Sequence, residues 1–330
     1  FYLESQAAIA WPGENGEIYV HSSSQNPTEI QQVIAEALGL GFNEVVCVCK
    51  RMGGGFGGKE TQAVIPAVMV ALVASKMRCP ARIAYTKDDD MRSTGKRHPY
   101  KIHYKAAFTD EGKITGVKLE IYSNGGAGAD LSTAILDRTL FHAENAYFIP
   151  NLLFKGTICK TNFPPNTAFR GFGGPQGMAN IENVIQEIAF VLKKDAFEIR
   201  RLNCYAHTER NVTPYGQIVR NHLLPEILDQ LAKTSDYLQR LQEVEQFNRE
   251  SATHMRGIAL TPMKFGISFT TKFLNQGNAL VNVYKDGTVQ VSTGGTEMGQ
   301  GLNTKIRQLV ADELAISYDD VRIMVTSTEK

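Results

Sequence analysis

Glycine placement constrains this chain most. Much of its complement of 29 lies in four clusters: Gly53-Gly54-Gly55-Phe56-Gly57-Gly58, Gly125-Gly126-Ala127-Gly128, Gly171-Phe172-Gly173-Gly174, and Gly294-Gly295 through Gly299-Gln300-Gly301. Such runs interrupt helices and strands, adopt backbone angles closed to other residues, and let N–H groups approach a bulky polar ligand. Their spacing matches no solenoid period.

Between the clusters, helix and strand signals alternate, which predicts an α+β chain: mixed α/β domains joined by glycine-rich loops. Pro27-Thr28-Glu29 opens a helix to about residue 38, with Ile30, Val33, Ile34, Ala37 and Leu38 on one face. Gly39 and Gly41 end it. Residues 44–50 read as a buried strand running into the first glycine cluster, with a helix expected over about 59–76. Residues 101–121 form a hairpin turning at Asp110-Glu111-Gly112-Lys113. The clearest helix spans about 174–193, its stripe made of Met178, Ile181, Val184, Ile185, Ile188, Val191 and Leu192. Further helix is expected over 196–203 and 225–247. Strands follow at 258–261 and 280–291, the latter turning at Asp286-Gly287, then a helix at 301–314 and a strand at 321–326. The polar stretch 248–253 divides the chain into 1–250 and 251–330.

Composition removes several classes of function. With 35 Lys+Arg against 34 Asp+Glu, the net charge of +1 argues against a nucleic-acid partner. No run approaches 18 uninterrupted apolar residues, so no membrane span is expected. No secretory signal is visible, and the five scattered cysteines suit reduced, cytoplasmic thiols. The chain opens on Phe1 without a Met and closes at Lys330 within a strand-like stretch, so an excised piece of a longer protein is expected.

The first cluster nearly spells a phosphate-binding P-loop, Gly53-x4-Gly58-Lys59, but Glu60 stands where that motif needs a magnesium-binding hydroxyl. Phe56 also fills a loop that would have to wrap phosphate. A ligand-approaching loop remains the better reading. Cys47 and Cys49 share a strand face and suit a core; their spacing matches neither zinc nor iron–sulfur sites. No nucleophile elbow is present. The segment 159–177 is more specific: Arg170 and Phe172 flank a glycine before Pro175 starts the long helix, whose N-terminus favours anions. Phe169 suits a core. Phe172, held between glycines, suits an open-faced ring.

Six ordered segments carry a resemblance across essentially the whole chain: Phe1-Tyr-Leu-Glu4, 53–60, Arg138-Thr-Leu-Phe-His142, 167–176, Lys264-Phe-Gly-Ile-Ser-Phe-Thr270 and 294–301. They resemble the molybdenum-cofactor-binding part of the xanthine dehydrogenase and xanthine oxidase family of molybdenum hydroxylases. The resemblance implies a first cofactor-binding domain over 1–250, truncated at its start, and the beginning of a second over 251–330. It implies Mo-molybdopterin, bound without protein side-chain ligands to the metal, with the cofactor carrying the redox chemistry. By motif, Gly55, Phe56, Gly57, Arg170, Met298 and Gln300 contact that cofactor, Phe56 and Arg170 nearest the metal. Phe172 and Phe269 sandwich a planar heterocycle, Glu60 and Arg138 orient a purine in one small cavity, and Thr270 bonds the substrate. Arg138 would stabilise charge developing on the ring, and Glu60 would act best as a partly protonated acid.

The implied reaction is hydroxylation of hypoxanthine to xanthine and urate, with [2Fe–2S] and FAD modules taking the electrons onward to NAD or oxygen in a homo- or hetero-oligomer. The family's catalytic Glu is expected beyond Lys330, and a Gln that bonds the metal's oxo ligand upstream of Phe1, so no catalytic base is expected within these residues. An aldehyde oxidase of the same family, or a non-catalytic binding or assembly module, are the alternative readings. Aldehyde oxidases carry apolar residues at the Glu60 and Arg138 positions.

Overall fold

Strands β1 (Ala7–Pro12) and β2 (Ile18–Ser22) alternate buried and half-buried side chains, so one face of their sheet needs cover. Helix α1 (Pro27–Leu38) supplies part of that cover, starting at Asn26, whose side chain accepts from Glu29 N, and ending at Gly39 with φ 70°. After β3 (Val45–Cys49) the glycine loop continues in turns, so α2 (Val64–Met77) begins later than the sequence predicts. Pro66 sits in its first turn, where a missing N–H costs nothing. Strand β4 (Ala81–Ala84) and helix α3 (Lys87–Ser93) complete this layer. Ala10, Val20, Ile34, Cys47, Ala67 and Ala71 form its core. The computed structural model describes residues 2–329; Phe1 and Lys330, on which the expectation of an excised piece rests, lie outside them.

The second layer is a sheet of β5 (Tyr100–Phe108), β6 (Ile114–Gly126) and β7 (Leu152–Lys160). The predicted hairpin pairs β5 with β6; β7 runs parallel to β6 after a crossover through α4 (Ser132–Phe141). Helix α5 (Gly174–Leu192) buries Ile181, Val184, Ile185 and Ile188 against this sheet, with α6 (Ala196–Asn203) beside it. Val191, on the same face but in the last turn of α5, is instead exposed. The expected helix over 225–247 is two helices, α7 (Leu224–Thr234) and α8 (Tyr237–Glu250), broken at Asp236 with φ 51°.

Residues 258–261 are not a strand. Their alternation is real, since Ile258 and Leu260 pack on the second core, but no neighbouring strand offers hydrogen bonds. The third unit comprises β8 (Ala279–Val283), β9 (Val289–Thr293), α9 (Leu302–Glu313) and β10 (Val321–Ile323), around a small core of Val289, Val291, Ala311 and Val321. The strand expected over 321–326 splits: β10 pairs with β9, while β11 (Thr326–Ser327) crosses to pair with β3. Among the described residues the first sheet therefore runs β11-β3-β2-β1-β4. No helix of the described residues is long and apolar enough to cross a membrane.

Candidate functional site

The loop after β3 turns on residues with positive φ: Gly54, Phe56 and Gly57, at 96°, 54° and 95°. Gly57 cannot be replaced freely, because a Cβ there would lie 2.9 Å from the Ala168 carbonyl carbon. Lys59, the lysine of the apparent P-loop, is turned away from any phosphate. Its ammonium is fully buried, bonded to Glu4 Oε1 at 2.9 Å and Ser23 Oγ at 2.7 Å. Gln25 Oε1 accepts from Gly57 N and Lys59 N, at 2.8 and 3.3 Å. The amides of Gly54, Gly55 and Phe56 donate to nothing among the described residues. The Phe56 ring is 45% exposed.

A second phenylalanine turn meets the first. Arg170 N donates to Phe56 O at 2.8 Å, and the Arg170 side chain is exposed beside it. Phe172 repeats the left-handed backbone of Phe56, with φ 50° between Gly171 at 93° and Gly173 at 94°. Gly173 allows the start of α5 to press on α4, since a Cβ would stand 2.0 Å from Ile135 O. Two rings in this sparsely populated region cost about 1 kcal/mol or more each, the kind of strain found at ligand clamps.

Arg138, on the last turn of α4, is buried although charged. Its Nη1 and Nη2 donate to Gly266 O and Ser268 O, and its guanidinium lies 5.5 Å from the Phe172 ring and 5.3 Å from the Phe265 ring. Arg138 is thus no surface ion-pair partner. Its Nε and the Thr270 Oγ1 are buried with no partner among the described residues. Both residues line a cavity of about 830 Å³, with His142, Lys264, Phe265 and Phe269. Phe172 and Phe269 are brought together but touch, with centroids 5.4 Å apart and planes at 57°. Nothing can stand between them as placed; a stacked planar ring requires the Phe269 segment to move out.

Glu60 lies elsewhere than expected. It does not line the Arg138 cavity. Burial first, then the charges of Glu29 and Asp130, push its carboxyl up to about 7. Asp130 reaches both loops, accepting from Thr61 and Gln62 and, at 2.7 Å, from Thr167 Oγ1. The Met298–Gln300 loop meets the start of the glycine loop, where Met52 N donates to Glu297 O at 2.9 Å. The amide of Gln300 is used inside its own turn: Oε1 accepts from Met298 N at 2.7 Å and Nε2 donates to Thr296 O at 2.9 Å. A residue expected to reach outward for a ligand therefore holds its loop closed, because Gly299 and Gly301 leave that turn without side chains of its own.

Sequence reading assigned no role to four residues at the end of α4 and on the 264–270 segment. Glu144 bonds Lys264 Nζ; Asn145 Oδ1 accepts from Lys264 N at 3.1 Å; His142 joins Arg138 O to Gly266 N. His142 and Lys264 sit inside the quoted motifs, four residues after Arg138 and at the head of the Phe269 segment, and that position was the available signal. Glu144 and Asn145 had none. Among the described residues no group of three or more His, Cys, Asp or Glu side chains could hold a metal ion.

Models of the molybdopterin cofactor-binding domain match residues 1–204 and 230–330. The chain is 49% identical over 330 residues to a xanthine dehydrogenase of Dictyostelium discoideum, covering 100% of this chain and 24% of that protein. It is 47% identical over 329 residues to the xanthine dehydrogenase/oxidase of Rattus norvegicus, covering 99% of this chain and 25% of the relative. The chain thus spans about a quarter of the length of these curated relatives. Among solved structures it is similar to the aldehyde oxidoreductase of Desulfovibrio gigas, with TM-score 0.84 and 25% identity over 99% of this chain and 35% of that one.

Proposed function

The chain belongs to the molybdopterin cofactor-binding domain family, and from that premise we propose that it forms the cofactor and substrate walls of a purine-hydroxylating molybdenum enzyme. The observation that carries the reading is the setting of Arg138: a guanidinium almost out of water, between two aromatic rings, with its unpartnered Nε and the unpartnered Thr270 hydroxyl on one cavity. A planar ring bearing carbonyl oxygens and ring N–H groups satisfies both, and an apolar ligand leaves both stranded.

The residues present fit the cofactor. Three successive unpaired amides, Gly54 to Phe56, form a row of donors suited to an oxygen-bearing group, and the exposed Arg170 side chain adjoins them. Gly55, Phe56, Gly57, Arg170 and the Met298–Gln300 turn would hold Mo-molybdopterin, with Phe56 and Arg170 nearest the metal. When bound, Mo-molybdopterin supplies the redox chemistry of oxidative hydroxylation.

The protein's own contribution is position and charge. Phe172 offers a stacking face, with Phe269 displaced outward to admit the ring. Arg138, its own side chain buried, stabilises negative charge on a ring carbonyl. Glu60, titrating near neutrality, can donate to or accept from a ring nitrogen, provided loading brings it to the cavity that Arg138 lines. The division at 250/251 separates a first cofactor-binding domain from a second, and [2Fe–2S] and FAD modules elsewhere in an oligomeric enzyme pass electrons to NAD or oxygen. Aldehyde oxidation is the second reading, favoured by the likeness to the aldehyde oxidoreductase.

The test is kcat/KM for xanthine and for benzaldehyde in the full-length enzyme. Arg138→Met should lower the xanthine value about 100-fold or more, through roughly 2.7–4 kcal/mol of lost charge stabilisation. Glu60→Val should cost less, and the double change should move preference toward the aldehyde. A xanthine-to-aldehyde ratio constant within about threefold across all four proteins contradicts the purine assignment.

A further inference from the structure

Both ring nitrogens of His142 are committed, and the two bonds fix its tautomer. Gly266 donates its N–H to Nε2 at 2.9 Å, so Nε2 must carry a lone pair. The proton therefore sits on Nδ1, which donates to Arg138 O at 2.8 Å. Gly266 is gripped twice, because its carbonyl accepts from Arg138 Nη1. One imidazole thus joins the helix that carries Arg138 to the segment that carries Phe269 and Thr270. The segment's other ties are also polar and run to the same end of α4: Arg138 to Gly266 O and Ser268 O, Glu144 to Lys264, and Asn145 to Lys264 N and Pro262 O. Phe265 and Ile267 are exposed, and among the described residues its regular structure is one short turn, Lys272–Leu274.

We propose that His142 is a positioning residue, a tautomer-locked clasp that sets Phe269 and Thr270 against Arg138 and opens when the imidazole takes a second proton. An imidazolium would carry a proton on Nε2 facing the Gly266 N–H, two donors head-on, and the bond is lost. The groups around the ring oppose that second proton at neutral pH. Arg138 on the same helix and Lys264 on the clasped segment are both cationic, Glu144 is tied to Lys264, Tyr215, Arg220 and Lys272 line the same cavity, and Phe265 and Gly174 beside the ring are uncharged. Burial above all, helped by the two cations and opposed by the Arg138 carbonyl, holds the ring's pKa below its ordinary 6.5. The clasp is accordingly closed above that value and opens below it. Its effect on substrate choice rests on the purine reading; its mechanical action does not.

The test has two arms in the full-length protein. Hydrogen exchange of the peptide covering 262–275, corrected for intrinsic rate, is followed from pH 8 to pH 5. Wild type should lose about tenfold protection as pH falls below the ordinary 6.5, with no matching change in a β6 peptide. His142→Gln, an acceptor that does not titrate, should keep protection within about threefold of wild type at pH 7.5 and show no step. A pH-flat wild type, or the same step in His142→Gln, overturns the clasp. This variant also serves if His142→Ala fails to fold.

In the kinetic arm, His142→Ala should lower kcat/KM for xanthine about tenfold while that for benzaldehyde stays within about threefold. Equal losses on both substrates overturn the positioning role. A wild type without xanthine turnover counts against the purine reading alone, with the exchange arm still deciding the clasp.

Discussion

The two walls of the candidate site are built in opposite ways. The glycine-loop wall stands on a buried polar network drawn from distant parts of the chain. Asp90 accepts from Tyr2 OH at 2.6 Å, Gln6 N at 2.8 Å and Thr94 Oγ1 at 2.7 Å, and Gln6 Nε2 in turn holds Gly58 O at 3.0 Å. The second wall, residues 262–275, is a strap without a sheet or core of its own. It is tied to the end of α4 through Arg138, His142, Glu144 and Asn145. The difference teaches a division of labour. On the proposed reading, the wall assigned to the cofactor is preformed, whereas the wall assigned to substrate is held by polar ties that can open.

The largest effect should come from the deep wall. Asp90→Ala removes the buried carboxylate that Tyr2 OH and Gln6 N donate to and that faces Lys96 at 3.5 Å, and should cost about 3–5 kcal/mol in urea denaturation. A loss under about 1 kcal/mol would mean that this network does not support the loop.

Breaking the strap should cost less and depend on pH. Lys264→Met leaves the buried Glu144 without its cation, at about 2–3 kcal/mol near neutrality. Burial already holds the Glu144 carboxyl above its ordinary 4.5, and removing Lys264 raises it further. The folded state then binds a proton that the unfolded state has released, so the penalty should grow as pH rises above 4.5. A penalty independent of pH between about 4.5 and 8 contradicts this.

Glu60→Gln should act more mildly and in the stabilising direction. Its carboxyl, raised to about 7, disfavours folding progressively as pH climbs from 4.5 to 7. The variant should gain on the order of 1–2 kcal/mol over wild type at pH 8 and nothing at pH 4. Equal gains at both pH values would place the effect outside this carboxyl. Smallest is Phe56→Gly, which removes a half-exposed ring and relieves its left-handed backbone; the two nearly cancel, within about 1 kcal/mol. A larger loss would show the ring to be part of the wall's support.

The same contrast explains what was legible in the sequence. Local periodicity announced α1, α5 and the β5–β6 hairpin, because each buries a face that its own residues define. The ordered motifs also named Arg138, Phe172, Phe269 and Thr270, which the fold draws to one place. What stayed hidden depends on pairing across long separations. The crossing of β11 to the first sheet needs β3 as its partner, and residues 258–261 look like a strand until a partner is sought. The inward turn of Lys59 needs Glu4 and Ser23, and the closed amide of Gln300 is a property of one turn's geometry. The Glu144–Lys264 tie joins residues that no motif spacing links.

The division of labour between the walls is tested most directly by the molybdopterin content per chain of two full-length variants. Gly57→Val places a branched side chain at φ 95°, against the Ala168 backbone, and disturbs the cofactor wall. Arg138→Met alters the wall proposed for substrate. The account predicts that Gly57→Val loses most of its pterin while Arg138→Met keeps a full complement and still fails on xanthine. Full pterin in Gly57→Val, or pterin lost from Arg138→Met together with turnover, would contradict it.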